Sequence, residues 1–243
     1  MNVLSIGNSF SEDAQRYLHQ IAKADGVEIN AFNLYIGGCT LSQHYQNMLS
    51  EERVYALGMN GESTGFKVSL KEALLNRNWD IVTLQQASIL SHDYSSYEPY
   101  LQKLAEYVRL CVPKARIVIH QTWAYEQGGE LLQRAGYCDY RDMLYNIKNA
   151  YESGAKVVNA DKIIPSGELF CALLQNGIEK VHRDTFHASY GLGRYALGLL
   201  WYCFLTGNSI ENNAFNDFDE AITDRHLEIA KRCVSKLAEM NGV

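Results

Sequence analysis

Short apolar segments alternate along this chain with longer segments whose apolar residues recur every three or four positions. Val3–Ile6 is a segment of the first kind, and the residues Ala14, Tyr17, Leu18 and Ile21 after it have helical spacing. Short apolar strands separated by amphipathic helices are typical of a parallel sheet that helices cover on both faces. The pattern therefore predicts an α/β fold. The predicted strands are Val3–Ile6, Ala31–Ile36, Ile81–Leu84, Arg116–His120 and Lys156–Val158, and further helices are predicted near 40–50, 68–77, 96–111, 139–153, 167–176, 189–205 and 218–239.

One segment, residues 53–67, interrupts the alternation. Val54–Met59 and Phe66-Lys67 lie on either side of Asn60-Gly61, and an Asn-Gly pair suits the type I′ turn of a β-hairpin. We predict a small β-hairpin insertion here and expect it to form a flap beside the carboxyl edge of the sheet.

The composition is that of an ordinary globular chain, with 47% hydrophobic and 21% charged residues among 243. The chain has only three prolines and no Ser/Gly/Pro-rich stretch, which favours a single domain over residues 1–243. The formal net charge of −6 and the scattered lysines and arginines argue against nucleic acid or an anionic membrane as partner. No apolar run reaches the roughly 18 to 20 residues of a membrane span.

The chain enters its first predicted strand without a charged and apolar leader, so we expect a cytoplasmic protein. A secreted protein trimmed of its leader would show the same start. No spacing of cysteines or histidines indicates a metal site, and we expect neither a metal nor a cofactor. We expect reduced, structural thiols at the six cysteines, which are Cys39, Cys111, Cys138, Cys171, Cys203 and Cys233.

Polar or glycine residues follow four of the predicted strands. In chain order they are Ser9, Gly37-Gly38, Gln85-Gln86 and His120-Gln121-Thr122-Trp123. Because ligands collect outside the carboxyl ends of parallel strands, we expect these residues to converge at one edge of the sheet.

Ser9, Asp184 and His187 are the candidate catalytic residues. A serine at the start of a helix can act as a nucleophile when a neutral imidazole takes its proton and a carboxylate orients that imidazole. Asp184 and His187 are three residues apart, close enough to hydrogen-bond within one loop. The alternatives are structural: Ser9 or Ser11 caps a helix, and Asp184 caps another while His187 is an ordinary loop residue.

Three groups are candidate donors to a developing oxyanion. They are the backbone N–H of Ser9, the flexible Gly37-Gly38 pair, and the side-chain amides of Gln85 and Gln86. A tight turn explains the glycines equally well, and paired glutamines at the end of a strand could simply be solvated.

Taken in order, these segments resemble the SGNH (GDSL-like) hydrolases. The resemblance is carried by Gly7-Asn8-Ser9-Phe10-Ser11, Gly37-Gly38, Gln85-Gln86-Ala87-Ser88 and Asp184-Thr185-Phe186-His187, and it extends over nearly the whole chain. Together with the phrase Gln-Thr-Trp-Ala-Tyr, it is similar to a bacterial branch of largely unassigned function whose relatives include carbohydrate esterases. The resemblance implies a three-layer α/β/α sandwich with a flavodoxin-like, five-stranded parallel sheet.

The same resemblance implies roles for individual residues. Ser9 would be the nucleophile, His187 the general base and Asp184 its orienter, with the N–H groups of Ser9 and Gly38 as oxyanion donors. Two departures stand out. Asn8 replaces the usual aspartate, and no Gly-x-Asn-Asp block follows the third strand. Gln86 is our candidate substitute for the missing asparagine, with Gln85 as a second candidate and as a substrate-binding residue.

We therefore expect a serine esterase that removes a small acyl group, acetyl in the first instance, from a carbohydrate. Trp123 and Tyr125 are candidate stacking walls for sugar rings. Two other functions stay open. One is a glycan-binding protein with weakened catalysis, which the glutamine substitution favours. The other is a lipid or thioester hydrolase, which would need a long apolar groove.

Overall fold

The computed structural model, which describes residues 1–243, contains one seven-stranded sheet. The strands are β1 (Asn2–Gly7), β2 (Asn30–Tyr35), β3 (Tyr55–Met59), β4 (Glu62–Val68), β5 (Ile81–Leu84), β6 (Arg116–Gln121) and β7 (Lys162–Pro165). The helices are α1 (Ser9–Gln15), α2 (Leu18–Ala24), α3 (Leu41–Ser50), α4 (Leu70–Leu75), α5 (Tyr100–Cys111), α6 (Glu130–Arg134), α7 (Tyr140–Val157), α8 (Ser166–Gln175), α9 (Leu192–Thr206) and α10 (Asp224–Met240), with a 3₁₀ helix over Tyr94–Tyr97.

The sheet has the strand order β4-β3-β2-β1-β5-β6-β7. The five strands β2, β1, β5, β6 and β7 are parallel, which confirms the predicted α/β fold. The sheet has seven strands rather than the predicted five, because β3 and β4 extend it in antiparallel orientation. The register pairs Ile6 with Leu34 on one side and with Leu84 on the other. Because β1 lies between β2 and β5 and is parallel to both, its carboxyl end lies beside the carboxyl ends of these two strands. The loops that follow β2 and β5 therefore border a site placed there.

The predicted hairpin is present, and its turn has the expected chemistry. Asn60 and Gly61 both have positive φ, 53° and 83°, as a type I′ turn requires. The prediction that the hairpin forms a separate flap is wrong, because β3 pairs antiparallel with β2 and continues the sheet. A Cβ on Gly61 would lie 2.2 Å from the carbonyl oxygen of Arg16, so the turn packs directly on the end of α1.

The prediction of a last strand over Lys156–Val158 is wrong. Residues up to Val157 belong to α7, and the strand is formed instead by Lys162–Pro165. Helical periodicity continues through Tyr151 and Gly154, both buried, so the short apolar pair at 157–158 only ends that helix.

Two layers of helices cover the sheet. Helices α1, α2, α8, α9 and α10 pack on one face, and α3, α4, α5 and α7 pack on the other. Helix α9 is buried continuously from Tyr195 to Leu205 and forms the centre of the first layer. None of the helices combines the length and the apolar character that crossing a membrane requires.

Candidate active site

Ser9 is the first residue of α1, directly after the carboxyl end of β1. Asn8 is the N-cap: its side-chain oxygen accepts a hydrogen bond from the Phe10 N–H at 3.0 Å, and its own N–H donates to Ser11 Oγ at 3.1 Å. Gly7 is required at the bend, because a Cβ there would lie 2.2 Å from Ser11 Oγ. Asn8 and Ser11 therefore form the cap, which leaves the Ser9 hydroxyl available for another contact.

That contact is with His187, at 2.8 Å between Ser9 Oγ and His187 Nε2. The other ring nitrogen, Nδ1, lies 2.7 Å from Oδ2 of Asp184. The structure thus brings together the three predicted catalytic residues in the order that general-base activation of a serine needs. Their catalytic role remains a prediction that this geometry supports.

The Asp184–His187 loop is held by its own backbone. Oδ1 of Asp184 accepts the His187 N–H at 2.8 Å and the Phe186 N–H at 3.4 Å. Thr185, which follows Asp184 in the chain, has a φ of 75°. Burial is the largest single influence on the pKa of Asp184 and raises it, but the hydrogen bonds from His187 and Phe186 outweigh it. The pKa of Asp184 consequently lies below its ordinary value, and the carboxylate stays charged beside the imidazole.

A second carboxylate, that of Asp13, holds this loop in place, and the sequence did not predict it. Asp13 is fully buried, and its carboxylate accepts the N–H of Ala188 at 3.1 Å. Nη1 of Arg183 lies 2.9 Å from both of its oxygens, and Nε of Arg194 donates to it at 2.8 Å. Arg183 and Ala188 flank the Asp184–His187 loop. Asp13 is four residues after Ser9 on α1, so one carboxylate joins the helix of the nucleophile to the loop of the base.

Two backbone donors lie free near the nucleophile. The N–H groups of Ser9 and Gly38 donate to no acceptor of the protein, and Gly38 is exposed with a φ of 62°. Nδ2 of Asn8 donates to the Cys39 carbonyl oxygen at 3.2 Å and thereby ties the start of α1 to the glycine turn. This placement suits the predicted oxyanion donors, and their role stays a prediction.

The structure contradicts the oxyanion role predicted for Gln86. Its side-chain nitrogen donates to Ser96 at 3.0 Å, and its oxygen accepts the N–H groups of Leu41 and Ala87 at 2.9 Å. Because the residue is fully buried with both ends of its amide bonded, no donor is left for a substrate.

Gln85 is likewise not a substrate-binding residue. Its nitrogen donates to Asn8 Oδ1 at 2.8 Å, and its oxygen lies 2.7 Å from Nδ1 of His120. Gln85 is 2% exposed, so it supports the N-cap of α1 from inside the protein rather than contacting a ligand.

Trp123 and Tyr125 are not stacking walls either, because both are buried. Trp123 stacks on Phe10 at 4.2 Å between ring centroids and donates from Nε1 to the Phe186 carbonyl oxygen at 2.7 Å. The hydroxyl of Tyr125 donates to Ser88 Oγ at 3.1 Å. Trp123 therefore packs beneath the Asp184–His187 loop and supports it. No group of three or more His, Cys, Asp or Glu side chains is placed to hold a metal ion.

Comparison with known proteins gives the wider context of this site. A family model described as a domain of unknown function, DUF4886, matches residues 2–236. A DUF4886 family protein from Bacteroides uniformis has a similar structure, with a TM-score of 0.89 and 32% sequence identity over 97% of this chain and 93% of that one. The comparison with curated proteins found no match.

Two more distant structures share the fold. One, from Slackia heliotrinireducens, is described as an SGNH hydrolase and has a TM-score of 0.60 and 21% identity over 83% of this chain and 97% of that one. The other is an acetylxylan esterase from Geobacillus stearothermophilus, with a TM-score of 0.54 and 15% identity over 88% and 94% of the two chains. They confirm the predicted resemblance to SGNH hydrolases at the level of the fold, and their descriptions agree with a hydrolase or esterase kind of function.

Proposed function

This chain belongs to the DUF4886 family, and we propose that it is a serine esterase that removes a small acyl group, acetyl in the first instance, from a hydroxyl of a carbohydrate. The observation that carries the proposal is the unbroken contact from Ser9 Oγ through the imidazole of His187 to Asp184, with distances of 2.8 and 2.7 Å. Because Asn8 and Ser11 form the helix cap, this contact has no structural need to exist at the start of α1.

The proposed reaction is acyl transfer in two steps. Ser9 Oγ attacks the ester carbonyl carbon while His187 Nε2 takes the hydroxyl proton, and the charged Asp184 stabilises the imidazolium. The tetrahedral oxyanion accepts hydrogen bonds from the N–H groups of Ser9 and Gly38. The alcohol leaves with the proton from His187, and an acyl-serine remains. Water, deprotonated by His187, then releases the acid and restores Ser9.

The finer choice of substrate has weaker support than the reaction type. Both a small acyl group and a carbohydrate alcohol are favoured by the fold shared with an acetylxylan esterase. The loss of Gln86 as a donor favours the alternative of a glycan-binding protein with weak catalysis, since one absent oxyanion donor costs about a hundred- to thousandfold in rate.

The test is the release of p-nitrophenol from p-nitrophenyl acetate by the wild-type protein, by Ser9→Ala and by the control Ser50→Ala, which changes a serine far from the site. We expect turnover by the wild type and the control and none above background by Ser9→Ala. Labelling with a fluorophosphonate, followed by peptide mass spectrometry, should place the adduct on Ser9. Equal rates for Ser9→Ala and the wild type, or an adduct elsewhere, would reject the serine mechanism. No turnover and no adduct in the wild type would favour the glycan-binding alternative.

A further inference from the structure

A cavity of about 220 Å³ lies between α1 and the β3–β4 hairpin. Helix α1 contributes Glu12 and Gln15 to its wall, and β2 contributes Asn33 and Tyr35. The hairpin closes the opposite side with residues 56–58 and 61–63. The mechanism proposed above uses none of these side chains.

Two residues of the cavity wall belong to the chain segments that carry the nucleophile and the glycine turn. Glu12 lies three residues after Ser9, one turn along the same helix. The hydroxyl of Tyr35 lies 3.4 Å from the place that a Cβ on Gly37 would take, next to the free N–H of Gly38. Through Glu12 and Tyr35, the cavity wall thus adjoins the start of α1 and the glycine turn.

Gln15 brings an unpaired polar atom to this cavity. The residue is 2% exposed, and its Nε2 donates to Ser5 Oγ at 2.7 Å. Its amide oxygen accepts no hydrogen bond from the protein, although the residue lines the cavity. This oxygen is open to the cavity and is available to accept a hydrogen bond from a ligand that carries a donor.

The charges of the wall limit what that ligand can be. Glu12 has no ion-pair partner. Desolvation and the neighbouring Asp13 raise its pKa and outweigh the opposing charges of Arg194, Arg183 and His187. The other carboxylate, Glu62, is paired with Arg16, and no cationic side chain lines the cavity. The wall therefore offers hydrogen-bond acceptors and repels an anion.

We propose that this cavity holds the alcohol part of the substrate, and that it accepts a neutral or cationic sugar ring and excludes an anionic one. Hydroxyl or ammonium groups of the ring donate to the amide oxygen of Gln15 and to the carboxylate of Glu12, and the Tyr35 hydroxyl makes a third contact. Acceptors on several sides of a small cavity suit a ring that carries donors around its edge. The assignment of the ring as a leaving group rests on the proposed function, whereas the binding of the ring does not.

The test measures binding without catalysis, in the Ser9→Ala protein. The probes are methyl β-D-glucopyranoside, methyl β-D-glucosaminide and methyl β-D-glucuronide, which are neutral, cationic and anionic forms of one ring. Dissociation constants are measured by ligand-observed NMR. The double variant Ser9→Ala/Glu12→Gln removes the unpaired charge, and Ser9→Ala/Glu179→Gln makes the same change at an exposed site. Circular dichroism confirms that each variant is folded.

We expect the neutral and cationic rings to bind at least about tenfold more tightly than the anionic ring, since a hydrogen bond to a charged group contributes this much. Glu12→Gln should weaken the cationic ring most and reduce the discrimination against the anionic ring, and Glu179→Gln should change neither. No binding of any ring, equal binding of all three, or an unchanged preference in the Glu12→Gln variant would overturn the proposal. Ring binding by a protein that hydrolyses no ester would instead leave the subsite standing and reject the esterase.

Discussion

Nη1 of Arg183 lies 2.9 Å from each carboxylate oxygen of Asp13. Five residues later in the chain, the N–H of Ala188 donates to the same carboxylate at 3.1 Å. The two contacts stand on either side of the Asp184–His187 loop. Because Asp13 belongs to the helix that begins at Ser9, the distance between nucleophile and base depends on this buried ion pair. Asp13 is therefore a positioning residue for the candidate catalytic residues.

Asp13→Asn should reduce both stability and turnover. Losing one partner of a buried ion pair typically costs about 3 to 5 kcal/mol, because the remaining charges are left uncompensated. We expect an urea-unfolding loss of that order. At a temperature where the variant is folded, kcat for p-nitrophenyl acetate should fall while KM changes little, because the loop shifts but the binding surface remains.

The control for this prediction is Asp217→Asn, which changes an exposed aspartate without ion-pair partners. It should leave both quantities unchanged. If Asp13→Asn lowers stability but leaves kcat at the wild-type value, the ion pair is structural only and does not position the loop.

Asp184→Asn should lower kcat by roughly ten-thousandfold while the protein stays folded. An asparagine nitrogen would donate to Nδ1 of His187, which forces the ring proton onto Nε2, the atom that must accept the proton of Ser9. Single-turnover rates with p-nitrophenyl acetate check this, and Asp139→Asn, an aspartate at the start of α7, is the matched control. A rate within about tenfold of the wild type would show that Asp184 does not orient the imidazole.

The residues of the candidate site that could be predicted from the sequence are those whose relation is local. Asp184 and His187 meet because they are three residues apart, and Ser9 is presented because a strand ends at Gly7. The short apolar strands of the sheet were predictable for a similar reason, since their pattern is contained in a few residues. The exception, Lys156–Val158, shows that a very short apolar run does not distinguish a strand from the end of a helix.

What could not be predicted depends on partners that are distant in the chain. The amide of Gln86 resembles a free donor in the sequence, but its partners Leu41 and Ser96 belong to the start of α3 and to the 3₁₀ helix. Trp123 follows a strand as a substrate-stacking residue would, but α1 and the 184–187 loop cover it. The pairing of Asp13 with Arg183 spans 170 positions, and no spacing rule reaches that far.

The substitution Gln86→Ala tests whether the Gln86 amide has a structural role or acts as an oxyanion donor. Removing a buried group that satisfies several backbone partners should lower the free energy of unfolding by about 2 to 3 kcal/mol. Because the amide is bonded to Leu41, Ala87 and Ser96, kcat should fall by less than about tenfold. Chemical denaturation and p-nitrophenyl acetate kinetics measure the two effects. A hundredfold or larger loss of kcat in a stably folded variant would restore the oxyanion role.

Asp219 makes stability fall at low pH. Its carboxylate accepts hydrogen bonds from Arg16 at 2.8 and 2.6 Å and from Arg194 at 3.0 Å, and the bonds from Arg16 are the main reason that its pKa is lowered to about 2. Since the folded-state pKa lies below the unfolded value of 3.8, the folded protein binds fewer protons in between. The stabilisation is thus complete above pH 3.8 and is lost as the pH falls through about 2.

Asp219→Asn removes this contribution at every pH. Because Asp219 lies at the surface and solvent screens its ion pairs, urea unfolding at pH 6 should show the variant less stable than the wild type by only about 1 kcal/mol. The difference should shrink toward zero as the pH approaches 2. Other carboxylates titrate equally in both proteins, so the difference between the two curves isolates Asp219. A difference that stays constant from pH 6 to pH 2 would mean that the ion pairs with Arg16 and Arg194 contribute nothing through charge.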